Sequence, residues 1–294
     1  MLQSRIREIY RQNMRDIRPS PIAGTWYIGD KESLAQSIDK QLQNSVVEPI
    51  PGSVVGVVAP HAGHRYSGEV AAHAFRCLED MTPEIVAVVS PLHQPHRGRV
   101  LTSDHDGYAT PLGNVQVDQE LVKRLETELS TVDGLDVDRI RHDAEHSLEI
   151  ELPFLQRVLP QPFRLLPVMI RDQSRSIVEA VGHAIGTILA DQSAIIVAST
   201  DLSHFHPQSI AEGLDAEMLS RIEAFDPAGV LSAEEEGMGF ACGRGAVSAV
   251  LWAAKDLGAD QVKLVKYATS GDVTGDYNSV VGYGAAVIFR QDQS

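Results

Sequence analysis

Cysteine is nearly missing from this chain of 294 residues: Cys77 and Cys242 are the only two. Two cysteines in so long a chain make no disulfide framework, and the compartment this implies is a reducing cytoplasm. Cations are also scarce, with 25 Lys and Arg against 40 Asp and Glu, a formal net charge of −15. Binding a phosphate backbone needs clustered Lys and Arg, so no nucleic-acid partner is expected. No apolar run is long enough to span a bilayer, and the opening stretch MLQSRIREIYRQNMRDIRPSP lacks the apolar core of a signal peptide, so no membrane partner is expected either. Linkers rich in Ser, Gly or Pro, low-complexity tracts and repeat periods are all absent, which favours a single domain. There is no G-x-G-x-x-G after a strand, no Walker loop, no C-x-x-C pair and no H-E-x-x-H. A nicotinamide cofactor, a nucleotide and a structural zinc therefore have no local support.

What the sequence does have is alternation. Short apolar, β-branched runs at 54–59, 85–89, 163–170 and 194–199 read as buried strands, and 262–268 and 280–289 as two more. Between them, 67–79, 118–129, 146–157, 174–190, 209–224 and 245–257 carry helical patterning. Such alternation predicts an α/β fold with a largely parallel or mixed central sheet flanked by helices. The spacing of Ile6, Ile9 and Tyr10 predicts a peripheral helical arm over 1–17, with the α/β domain occupying 18–294.

In open α/β sheets, sites gather beyond the carboxyl ends of strands. Here the run 54–59 leads into APHAGHRYSG with His61, and 85–89 leads into SPLHQPH with His93 and His96. The run 194–199 leads into TDLSHFHP with Asp201, His204 and His206. Three strand ends that each deliver imidazole point to one shared cleft, because neutral imidazole serves both as a metal ligand and as an acid/base group near pH 7. His64, His73, His105, His142 and His183 lack that placement and read as background.

Cys242, in GFACGRGAVSAVL, precedes a helix expected to start near Gly245. The positive end of that helix and Arg244 should lower its thiol pKa, and a thiolate is both a nucleophile and a soft metal ligand. In DAEHSLEIELPFL, a helix would place Glu145 and Glu149 on one face, with His146 three residues before Glu149. That face could supply a carboxylate that holds a ligating imidazole. It could equally be an acidic helix N-terminus capped by Asp143.

The segments AGTWY (23–27), APHAGHRYSG (59–68), SPLHQ (90–94), AEHSLEIELPF (144–154), STDLSHF (199–205), ACGRGA (241–246) and YATSGD (267–272) occur in order along the chain. Together they resemble the Memo family, called AmmeMemoRadiSam system protein B in prokaryotes. The family is similar in fold to the class III extradiol (LigB-like) non-haem iron dioxygenases. The resemblance implies metal-site residues His61, His93 and Cys242, with Asp201, His204, Glu145 and His146 as the acid/base and supporting set. Fe(II) is the first expectation for the ion, with Cu or Zn as the others such a set accepts. The chain departs from the usual family loop at Gln94, where a second histidine is the rule, and His96 is the nearest replacement. Cys242 stands where the dioxygenases place a carboxylate, so ring cleavage does not carry over with the fold. The function expected is that of a metal-dependent redox protein. A silent cleft that binds a small molecule, peptide or protein is the alternative, and a zinc-dependent hydrolase a lower one. The prokaryotic family name also implies a radical S-adenosylmethionine protein as partner.

Overall fold

The computed structural model describes residues 16–132 and 134–292. The helix expected over 1–17 lies outside the described residues, apart from its last two positions. Ile17 belongs to a short strand, β1 (Ile17–Arg18). The strands that follow are β2 (Gly52–Ala59), β3 (Ile85–Pro91), β4 (Val100–Ser103), β5 (Gly107–Thr110) and β6 (Gly113–Val117). Then come β7 (Val137–Ile140), β8 (Arg164–Ile170), β9 (Ala194–Ser199), β10 (His204–His206), β11 (Gln261–Thr269) and β12 (Val280–Gln291). Helices α1 (Lys31–Asn44), α2 (His64–Arg76), α3 (Gln119–Leu129) and α4 (Leu152–Val158) precede α5 (Arg175–Leu189), α6 (Gln208–Glu223), α7 (Pro227–Glu235) and α8 (Arg244–Asp256).

Among the described residues these twelve strands form one mixed sheet. Its centre is parallel, in the order β6, β8, β3, β9, β2. The strand β12 then runs antiparallel to β2, and β11 antiparallel to β12. The sequence explains the centre: β3 reads IVAVVSP and is buried at every position, as a strand covered by helices on both faces must be. Each fully buried Val or Ile there contributes roughly 1.5–3 kcal/mol over its exposed state. On one face α5 lies directly on α8, a closeness that Gly182 permits. A Cβ at that position would fall 2.7 Å from both the Ala249 carbonyl oxygen and the Trp252 Cβ. No described helix is long and apolar enough to cross a membrane.

The expected α/β architecture is the observed one, and for the site one detail of order matters most. β3, β9 and β2 are immediate neighbours, with β9 in the middle. Their carboxyl ends therefore open side by side, and the loops that follow carry His93, Asp201 and His61.

One expected helix is corrected. Residues 144–148 are not helical; a single 3₁₀ turn (Glu149–Glu151) leads into α4, which begins only at Leu152. Pro153 sits in the first turn of α4, where a missing N–H costs nothing. Glu145 and Glu149 consequently do not share a helical face. Glu149 turns to Arg18, Ser20 and Tyr27, and Asp143 also pairs with Arg18 instead of capping a helix.

Candidate metal centre

The loop after β2 is shaped by the loop after β9. Asp201 accepts from the main-chain N–H groups of His61 at 2.8 Å and Ala62 at 3.2 Å, both through Oδ1. This fixes the turn and aims the buried His61 ring across the strand ends. Nδ1 of that ring lies 3.0 Å from Ser199 Oγ, at the last residue of β9. Nε2, on the other side, lies 3.1 Å from Cys242 Sγ.

Cys242 reaches this point from the turn before α8. Its main-chain N–H donates to the Asp201 carbonyl at 3.2 Å, and the Asp201 N–H points at Sγ from 3.3 Å. Gln173 clamps the turn, donating to the Cys242 carbonyl at 3.0 Å and accepting from Gly245 N at 2.7 Å. The expected lowering of the thiol pKa is corrected. Burial pushes the Cys242 thiol up, and Asp201 beside it acts the same way. Arg244 does not offset this, because its guanidinium pairs with Glu234.

His93 comes from the loop after β3 and is held by Glu145. Oε2 of the Glu145 carboxylate accepts from the His93 main-chain N–H at 2.6 Å, and Oε1 lies 2.9 Å from ring Nδ1. Oε1 also accepts from the N–H groups of His146 and Ser147, each at 3.0 Å. Burial opposes ionisation of Glu145, but these bonds and the His93 ring carry its carboxyl well below the usual range. Of the two readings the sequence leaves for this segment, the carboxylate on an imidazole is the arrangement found.

His146 stacks between two rings, with Trp26 4.0 Å and His93 4.7 Å away between centroids. The His61 ring stands edge-on to both His93, at 5.2 Å, and His146, at 5.4 Å. Burial brings His146 down to about 4 and, with the neighbouring imidazoles, holds His61 well below its usual value, so both are neutral at pH 7. Burial pushes Asp201 up to about 7, against the two N–H donors that favour its charge. His204 lies on β10, packed edge-on against Phe240 at 5.4 Å, and burial lowers its pKa as well. Pro207 stands immediately before α6, at the end of the loop.

His96 does not take the place of the histidine missing at Gln94. Its Nδ1 accepts from Gly98 N at 2.9 Å and lies 3.7 Å from Asp138, away from the other rings. His64, in the background set, is buried and donates from Nε2 to the Ile150 carbonyl at 3.0 Å.

One ligand atom from each of His61, His93 and Cys242 lies within 4.8 Å of the other two, and the same holds for His93, Glu145 and His146. Bonds from one ion to nitrogen and sulfur run about 2.0–2.3 Å, so donors of one coordination shell lie at most about 4.6 Å apart, a spacing this set approaches. Both chemistry and spacing of the His61, His93 and Cys242 set suit a metal ion. Trp26, Ser199 and Glu151 are components the sequence reading assigned no role. An acid inside the apolar run LEIELPFL was the available signal for Glu151.

A family model described as Memo-like protein matches residues 18–287. A MEMO1 family protein from Methanopyrus kandleri is 37% identical over 284 residues, covering 93% of this chain and 99% of its own. Another from Methanothermobacter thermautotrophicus is 38% identical over 276 residues, covering 91% and 98%. A third, from Nitrosopumilus maritimus, is 36% identical over 276 residues, covering 92% and 98%.

Proposed function

The chain belongs to the Memo family, and from that premise we propose that it is a metal-binding redox protein whose ion is held by His61, His93 and Cys242. The observation that carries the reading is the convergence of two imidazoles and a thiol, with ligand atoms within 4.8 Å of one another, at the ends of β2 and β3 and the start of α8. The Cys242 sulfur, which gives up its proton on binding an ion, joins two imidazoles in a set that suits Fe(II) or Cu, and Zn also accepts such donors. When bound, Fe(II) or Cu supplies one-electron chemistry and a coordination position open to a small substrate.

The chain's own residues divide the remaining work. Glu145 orients the His93 ring through its two-point contact. Asp201 fixes the His61 loop and, with its carboxyl near pH 7, can hold or release a proton beside Cys242. His204 is neutral at pH 7 and fits a proton acceptor, whereas His146, brought down to about 4, is a weak base that stacks between Trp26 and His93. Trp26 covers the outer face of His146 and limits water there.

One observation favours a second reading, a cleft that recognises a peptide or small molecule without chemistry. Trp26, stacked on His146, and Phe205, next to His204 on β10, are 38% and 73% exposed. Metal content after anaerobic purification separates the two. About one iron or copper per chain in the wild type, falling at least tenfold in Cys242→Ser, is the expected result. A wild type that takes up no ion after anaerobic loading with Fe(II) or Cu(I) overturns the redox reading and leaves the binding cleft.

A further inference from the structure

Behind His61, away from Cys242, lies a buried cluster that neither the metal set nor the acid/base set uses. Ser199 Oγ sits at its centre with three polar neighbours: the Ser147 carbonyl at 2.6 Å, Glu151 Oε1 at 2.7 Å and His61 Nδ1 at 3.0 Å. A hydroxyl has one proton to donate and two lone pairs that accept. The Ser147 carbonyl can only accept, so the Ser199 proton belongs there. Both remaining neighbours must then donate to Ser199.

The count determines two protonation states. A donating Glu151 carries its proton, and a donating His61 carries its own on Nδ1. Were Glu151 ionised, Ser199 would face two acceptors with one proton, leaving a bare oxygen–oxygen contact of 2.6 or 2.7 Å in the interior. No ion pair offsets a charge on Glu151 among the described residues, and a lone buried carboxylate is costly. Burial also pushes the Glu151 carboxyl well above its usual value.

We propose that Ser199, itself held by a protonated Glu151, locks His61 as the Nδ1–H tautomer, so that Nε2 presents its lone pair toward Cys242 and the ion. Ser199 and Glu151 are thus positioning residues that act through His61. The metal consequence rests on the reading of His61 as a ligand; the tautomer and the neutral carboxyl do not. Ring orientation by a partner of this kind typically accounts for 10–100-fold in metal affinity.

The first test uses the metal-free wild-type chain. Nitrogen-15 NMR of the His61 ring should show Nδ1 protonated and Nε2 bare at neutral pH, and infrared difference spectra against Glu151→Gln should contain a neutral carboxyl band. An Nε2–H tautomer, or an ionised carboxylate band lost in Glu151→Gln, overturns the inference whatever the metal behaviour. The second test is metal affinity. Ser199→Ala should weaken Fe(II) or Cu(I) binding about 10–100-fold, Ser199→Thr should restore it, and Glu151→Gln, whose amide also donates, should stay close to wild type. Equal affinity of Ser199→Ala and wild type overturns the positioning role. A wild type that binds no ion but keeps the Nδ1–H tautomer and the neutral carboxyl overturns the metal reading alone.

Discussion

His93 and Glu145 are joined at two points: the carboxylate of Glu145 receives the main-chain N–H of His93 through one oxygen and contacts ring Nδ1 through the other, at 2.6 and 2.9 Å. A two-point contact sets both where the loop runs and how the ring is turned. It leaves His93 Nε2 as the nitrogen free to face Cys242 and His61.

Glu145→Ala should therefore damage both metal binding and stability. With no acceptor for Nδ1, the ring loses its fixed orientation, and metal affinity should fall about 10–100-fold. The N–H groups of His93, His146 and Ser147 lose their acceptor at the same time, at a cost of about 1–3 kcal/mol for each one left buried and unpaired. Competition with a chelator measures the first effect and urea unfolding the second. A variant with wild-type metal affinity would show that Glu145 serves the loop and not the site.

His96→Ala should leave metal content and affinity unchanged, whereas His93→Ala should abolish binding. The two histidines are three residues apart in one loop, yet His96 faces Gly98 and Asp138 while His93 faces the cluster. A loss of metal in His96→Ala would mean that the loop rearranges to bring His96 inward.

That pair also shows what the sequence could and could not disclose. The placement of His61, His93 and Asp201 beyond strand ends was legible, because β-branched buried runs mark strands and loops follow them. The neighbour order β3, β9, β2 was not, since strand pairing joins residues more than a hundred positions apart. Helix α1 gives only a weak signal because KESLAQSIDKQLQN is mostly polar. Its stripe of Leu34, Ile38 and Leu42, capped by Asp30, was nonetheless available at helical spacing. Strands β4 to β7 have only four or five residues each, too few for a periodic signal. The expectation of a thiolate at Cys242 rested on a helix terminus and a nearby Arg. It failed because burial and the turning of Arg244 toward Glu234 are tertiary facts. Ser199 and Glu151 carry no spacing pattern at all; only distance in space relates them to His61.

His64 should make the fold sensitive to acid. Burial lowers its pKa from 6.5 to about 4, because the folded chain keeps the ring neutral. Between these values the unfolded chain binds a proton at His64 that the folded chain does not. Stability from this group is thus full above 6.5 and lost as pH falls toward 4. The slope is up to about 1.4 kcal/mol per pH unit. Asp201 and Glu151, whose pKa values are raised by burial, slope the opposite way, so the whole curve does not isolate His64. The difference between wild type and His64→Gln does. Urea unfolding at several pH values should give a shallower acid loss in the variant, and parallel curves would show that His64 does not titrate in this manner.

Gly243→Ala should disturb the candidate site through packing alone. Gly243 follows Cys242, and a Cβ there would lie 2.4 Å from the Ser199 carbonyl oxygen and 2.9 Å from the Thr200 Cβ. The oxygen is main chain at the end of β9 and cannot swing aside as a flexible side chain could. Either β9 or the Cys242 turn must move, at a cost of about 1–3 kcal/mol, and a displaced turn carries Sγ away from His61 Nε2. Gly213→Ala supplies the contrast. That position lies in α6 with nothing within 4 Å of an added Cβ, and replacing a helical glycine by alanine stabilises by roughly 0.5–1 kcal/mol. Urea midpoints should therefore move in opposite directions, and only Gly243→Ala should lose metal. Equal, small effects at both positions would mean that the Cys242 turn adapts to the extra carbon and that its close packing does not fix the thiol.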